Sequence, residues 1–172
     1  MKVIKAKTAG FCFGVKRAVD TVYKQVDTKC GQIYTYGPII HNEEVIKDMR
    51  DKGVIVLRSE EDLDMISQGT VIIRSHGVEK RIYEKIEQKG LRIVDATCPF
   101  VKKIHRIVAE ESAKGSHIVI IGNSEHPEVE GIRGWSESPV TVIQTPEDAK
   151  SFFLPDQSQK VCIAVSYTHL TL

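Results

Sequence analysis

Short runs rich in Val and Ile alternate along the chain with stretches of helical period. The runs at Val3–Ala6, Ile33–Tyr36, Val54–Leu57, Val71–Arg74, Arg92–Asp95, Ile118–Ile121, Thr141–Ile143 and Val161–Val165 predict strands. Between them, Phe13–Asp27 places Val15, Val19, Val22 and Val26 on one helical face. Asn42 is a cap for a helix carrying Val45, Ile46 and Met49, and Ser59 with Asp62 approximates a capping box before Leu63–Ser67. Gly90 and Gly115 stand where the helices following Val78 and Pro99 should end. Repeated βα units predict an α/β fold of parallel sheets with helices on both faces. The pattern restarts near Thr97–Pro99, which marks a domain boundary. No low-complexity linker and no clear internal sequence repeat divides the chain.

Composition narrows the class. The chain has 172 residues, 41% of them apolar and 27% charged, enough for one ordinary domain or two small ones with a buried core. With 24 basic against 23 acidic residues the formal charge is +1, which gives no electrostatic case for nucleic acid. No apolar run approaches the roughly 18 residues of a membrane span. Met1–Gly10 carries lysines but no apolar signal-peptide core. These features together lead to the expectation of a cytoplasmic protein. There the four cysteines, Cys12, Cys30, Cys98 and Cys162, should not form structural disulfides. They are core residues, nucleophiles or metal ligands.

The polar residues suited to chemistry follow strands. His41–Asn42 comes after Ile33–Tyr36, Ser75–His76–Gly77 after Val71–Arg74, Thr97–Cys98–Pro99 after Arg92–Asp95, and His126–Pro127–Glu128 after Ile118–Ile121. Open α/β sheets bind ligands beyond the carboxyl ends of their strands, so these four loops belong on a functional edge. Cys12, in Gly10-Phe-Cys-Phe-Gly14, and Cys98, before Pro99, both stand at predicted helix starts. Free N–H groups there favour a thiolate, the nucleophilic and metal-binding form. The alternative for each is a small buried hydrophobe in a turn. Cys30, in a polar turn, and Cys162, inside an apolar strand, read as structural. So do His105 in mid-helix and His117 at a strand start, as structural or surface residues. His41, His76 and His126 are candidates for binding a phosphate or diphosphate, as imidazoles that donate hydrogen bonds beside helix starts. Glu128 is either a proton donor in a closed pocket or an exposed acid stabilised by a helix dipole.

The motifs Gly10-Phe-Cys-Phe-Gly-Val-Lys-Arg-Ala-Val19, His41-Asn42, Ser75-His-Gly-Val78, Asp95-Ala-Thr-Cys-Pro99 and His126-Pro-Glu-Val-Glu-Gly131 resemble those of the 4-hydroxy-3-methylbut-2-enyl diphosphate reductases, the LytB-type iron–sulfur family. They occur in the family's order over residues 1 to about 164. The resemblance implies two of the family's three α/β domains around a central 4Fe–4S cluster. On this resemblance residues 14–97 are expected to form the first domain and 98–164 the second, with 1–13 belonging with the third. It implies Cys12 and Cys98 as two of three cysteine ligands, His41, His76 and His126 around the substrate diphosphate, and Glu128 in the proton relay. The implied reaction is reductive dehydroxylation of an allylic diphosphate to isopentenyl and dimethylallyl diphosphates in the non-mevalonate pathway. The resemblance also implies a redox partner such as ferredoxin or flavodoxin as the source of electrons. No nucleic acid or membrane takes part.

The sequence departs from the family at its end. Relatives usually read Val-Ser-Gln-Thr-Thr after the last strand, whereas here Val165-Ser-Tyr-Thr-His-Leu-Thr-Leu172 resembles a translated sequencing adapter. Residues 165–172 are therefore expected to be a non-native tail, with the native sequence stopping near Ala164 or Ser166 and His169 not a ligand. The chain is expected to be a C-terminal truncation that lacks the third cysteine. Such a fragment should be inactive, hold a cluster poorly and expose apolar surface. Two other readings compete. Cys12 and Arg17 could begin a cysteine-phosphatase loop, but their spacing is Cys-x4-Arg where that chemistry needs Cys-x5-Arg. Alternatively, the strand-end loops could form a phosphometabolite-binding module without catalysis.

Overall fold

The computed structural model describes residues 2–4, 9–28, 31–154 and 156–166. Seven helices and seven strands alternate among them: α1 (Phe13–Thr28), β1 (Ile33–Tyr36), α2 (Glu43–Asp51), β2 (Ile55–Leu57), α3 (Glu60–Asp64), β3 (Thr70–Ile73), α4 (Lys80–Gln88), β4 (Arg92–Asp95), α5 (Pro99–Ala113), β5 (His117–Ile121), α6 (Pro127–Arg133), β6 (Val140–Ile143), α7 (Pro146–Ser151) and β7 (Val161–Val165). The strands form two sheets, ordered β2-β1-β3-β4 and β6-β5-β7, with every pairing parallel. In the first sheet the register aligns Tyr36 with Leu57 and Ile73, and Ile73 with Asp95. The loops after β1, β3 and β4 therefore leave from one edge.

Burial explains why β3 reads as an unbroken apolar run. All four of its residues are buried, as expected for a parallel strand covered on both faces. Side chains alternate across a strand. Accordingly, Ile72 packs with Val19 and Val22 of α1 and Met49 of α2, while Val71 and Ile73 pack with Leu63 of α3 and Ile82 and Ile86 of α4. The expected coverage of both faces thus holds for this sheet. In the second sheet Ile118 and Ile120 pack with Val108 of α5 and Val129 and Ile132 of α6. The other face is more open, with Ile121 at 42% and Ile163 at 62% exposure.

Most predicted elements appear within a residue or two of their expected limits. Of the strand anticipated at Val3–Ala6, Val3 and Ile4 are irregular and exposed, and the other two residues lie outside the described residues. The α3 helix begins at Glu60 rather than Leu63, because Ser59 already caps it by accepting from the Asp62 N–H at 3.4 Å. The Asp62 carboxylate turns to the Arg58 N–H at 2.7 Å, so the box is indeed only approximate. Asn42 caps α2 through the Val45 N–H at 3.1 Å. Gly90 and Gly115 follow their helices with φ of 68° and 84°. Thr145-Pro-Glu-Asp148 carries a further helix-start signal and forms a complete capping box at the start of α7.

Truncating the two-sided core should be costly where truncating the open face is not. Ile72→Ala is expected to lower unfolding stability by about 3 kcal/mol, and Ile163→Ala by no more than about 0.5 kcal/mol. Urea titrations followed by circular dichroism measure both.

Candidate functional site

The strand-end loops bring the predicted histidines together. The rings of His41 and His76 have centroids 4.9 Å apart, those of His76 and His126 5.7 Å, and those of His41 and His126 6.3 Å. Each reaches this point by a different local device. His41 precedes the Asn42 cap of α2. His76 lies in a turn closed by the Gly77 N–H on the Arg74 carbonyl at 3.0 Å, with Gly77 at φ +73°. His126 is the N-cap of α6, and its Nδ1 accepts from the Glu128 N–H at 3.2 Å. That bond places the hydrogen of the neutral ring on Nε2. Burial, then the neighbouring His41, Arg74 and His126, push the His76 pKa down to about 4. At neutral pH this imidazole is a neutral donor and acceptor.

The two candidate cysteines occupy matching positions. The Cys12 carbonyl accepts from the Lys16 N–H at 2.9 Å, and the Cys98 carbonyl from the Lys102 N–H at 3.0 Å, each closing the first turn of its helix. Both thiols line one cavity of about 570 Å³, mostly apolar, whose walls also include Ser75, His76 and Glu128. Gly14 makes the approach possible: a Cβ there would stand 2.6 Å from Cys98 Sγ. The Cys98 N–H donates to the Ser75 carbonyl at 2.9 Å, which joins the Cys98 loop to the His76 loop. Cys162 lies in β7 and lines a separate groove with Phe100 and Ile163. Cys30 and His169 lie outside the described residues.

Tertiary contacts define the surroundings of the site further. Arg17 donates from its two terminal nitrogens to the carbonyls of Thr97, at 2.9 Å, and Asp95, at 3.4 Å. Its fork holds α1 against the loop of Cys98 and is not folded over Cys12, which removes the phosphatase reading. Glu128 is 8% exposed and accepts from the Ser166 hydroxyl at 3.0 Å, so it is a buried acid rather than an exposed helix-start residue. Ser166, 1% exposed, directly follows β7. His105, read as structural or surface, is 3% exposed and stacks on Trp135 with centroids 5.3 Å apart. Asp95 supports the Cys98 loop from below. Burial would raise its pKa, but hydrogen bonds from Lys102 and Thr97 outweigh that and hold the carboxyl low.

Fold and site together define an α/β protein with thiols and imidazoles gathered beyond the carboxyl ends of parallel strands. The chain belongs to the LytB protein family, whose sequence model matches residues 3–171. It is 46% identical, over 99% of its length, to the 4-hydroxy-3-methylbut-2-enyl diphosphate reductase of Caldanaerobacter subterraneus subsp. tengcongensis, of which it covers 58%. Among solved structures it resembles the E-1-hydroxy-2-methyl-but-2-enyl-4-diphosphate reductase of Plasmodium falciparum, with a TM-score of 0.86 and 28% identity over 93% of this chain and 49% of that one. It also resembles an (E)-4-hydroxy-3-methyl-but-2-enyl diphosphate reductase, the terminal enzyme of the non-mevalonate pathway, with a TM-score of 0.79 and 36% identity over 95% of this chain and 57% of that one. The chain thus spans less than three fifths of these relatives' length.

The buried histidines make stability depend on pH. Burial, opposed by Asp95 and reinforced by Lys102, lowers the His105 pKa from its ordinary 6.5 to about 4. The unfolded chain therefore binds more protons between those values. The stabilising contribution is fully present above pH 6.5 and is lost as pH falls toward 4. Urea titrations across this range should show a loss of about 3 kcal/mol from His105, and His105→Phe should remove that share.

Proposed function

We propose that this chain carries two of the three domains of a 4-hydroxy-3-methylbut-2-enyl diphosphate reductase, residues 14–97 and 98–164, with residues 1–13 belonging to the third. One observation carries the reading: Cys12, Cys98, His76 and Glu128 converge on a single cavity, beside the three clustered imidazoles. The donor set suits a 4Fe–4S cluster, since thiolates are its usual ligands and two thiols face one space that Gly14 keeps open. Cys12 and Cys98 would supply two of its three protein ligands. When bound, the cluster supplies electrons one at a time and an open iron that acts as a Lewis acid on the substrate hydroxyl.

The chain's own residues have distinct parts in this proposal. His41, His76 and His126 bind the diphosphate through their N–H groups and so orient the allylic end toward the cysteines. The largely apolar cavity excludes water around the reacting carbons. Glu128, buried and held by Ser166, delivers protons. Two electrons and two protons are consumed, the allylic C–O bond breaks, and the hydroxyl leaves as water. The electrons come from a small redox protein such as ferredoxin or flavodoxin, and the reaction belongs in the cytoplasm. No helix among the described residues is long and apolar enough to cross a membrane.

The test is a chimera joining residues 1–166 to the remaining C-terminal part of the Caldanaerobacter relative, assayed without oxygen with a chemical reductant. It should bind iron and reduce the allylic diphosphate. Cys12→Ser and Cys98→Ser should each abolish both properties. Glu128→Gln should slow turnover by about 10²- to 10⁴-fold and leave inorganic pyrophosphate binding unchanged. A chimera that binds pyrophosphate but holds no iron and reduces nothing would instead be a phosphometabolite-binding module.

A further inference from the structure

The His105 ring sits between the two loops that carry the proposed diphosphate ligands. A Cβ on Gly77 would stand 2.5 Å from His105 Cε1 and 3.3 Å from Nε2, and a Cβ on Gly131 would stand 3.5 Å from Nε2. Gly77 directly follows His76, and Gly131 lies in the helix that His126 caps and Glu128 begins. Trp135 backs the ring with its planes only 19° apart, and its own Nε1–H donates to the Val78 carbonyl at 2.9 Å. One aromatic pair therefore braces the β3–α4 loop of the first sheet against α5 and α6 of the second.

A shape-filling role alone does not need a nitrogen. Yet His105 Nε2 is buried and has no hydrogen-bond partner. An apolar ring of the same outline would avoid the cost of that unpaired atom. A matching acceptor lies nearby. The His76 carbonyl takes no hydrogen bond among the described residues. Its oxygen lies 3.6 Å, and His105 Nε2 3.5 Å, from the point where a Gly131 Cβ would stand. Gly131 keeps that space clear, and Gly77, at φ +73°, lets the adjoining peptide rotate.

We propose that His105 is a positioning residue for the diphosphate loop: when an anion occupies the histidine cluster, the His76–Gly77 peptide turns, the Gly77 N–H leaves the Arg74 carbonyl that it holds in this structure, and the His76 carbonyl accepts the His105 Nε2–H, fixing the His76 imidazole on the ligand. The inference rests on the reading of His41, His76 and His126 as the diphosphate site. His105 itself touches no substrate. Its low pKa keeps the ring neutral at physiological pH, so that it carries a single ring hydrogen.

Inorganic pyrophosphate binding, measured by calorimetry on this chain, tests it. His105→Phe keeps the stacked ring but loses the donor, and should weaken binding by about tenfold while melting no lower than the wild type. His105→Gln, which restores an amide donor, should recover most of the affinity. In the wild type, the nitrogen-15 correlated proton resonance of His105 Nε2 should move downfield on saturation with pyrophosphate. Equal binding by His105→Phe, or a resonance that does not move while pyrophosphate binds, overturns the positioning role and leaves the diphosphate site standing. A wild-type chain that does not bind pyrophosphate overturns the site itself and this role with it.

Discussion

The site depends on the parallel ladder around β3. Because β1, β3 and β4 pair in one direction and in register, their exits stand side by side, and the loops of His41, His76 and Cys98 have no other place to go. The ladder in turn needs β3 to be covered on both faces, by α1 and α2 through Ile72 and by α3 and α4 through Val71 and Ile73. Loss of one helix layer would therefore slacken the strand whose end carries His76. The second sheet joins this edge through hydrogen bonds to main-chain carbonyls rather than through a shared ladder. The Cys98 N–H on the Ser75 carbonyl, the Lys80 N–H on the Gly134 carbonyl and the Trp135 indole on the Val78 carbonyl are among these links.

Electrostatics within the site favour neutral donors over fixed charge. His76 is kept uncharged by burial and by positive neighbours. His126 spends one nitrogen on the helix that it caps. The buried carboxylate of Glu128 accepts from the Ser166 hydroxyl, which ties the cavity wall to the end of β7.

Much of this was legible in the sequence because short-range rules govern it. Val/Ile runs, the Asn42 cap, Pro99 at a helix start and the glycines at helix ends each act over a few residues, and the strand-end rule turned that order into a site containing His41, His76, Cys98 and His126. What could not be read depends on distances across the fold. Nothing in the order of residues says that Arg17 reaches the carbonyls of Thr97 and Asp95 some eighty positions away, or that Ser166 meets Glu128. His105 looked ordinary because burial against Gly77 and Gly131 is a property of two sheets meeting. The α7 helix differs in kind, since its Thr145–Asp148 capping box is a short-range signal present in the sequence.

The clasp made by Arg17 also bears on which changes the molecule can tolerate. Its two terminal nitrogens span two carbonyls of the β4–α5 turn at once, and a lysine in its place would offer one rotating point of charge instead of a planar fork. The gap between the helices that begin beside Cys12 and at Cys98 is therefore gauged by the width of a guanidinium group, and a substitution that preserves charge at position 17 would not preserve that gauge.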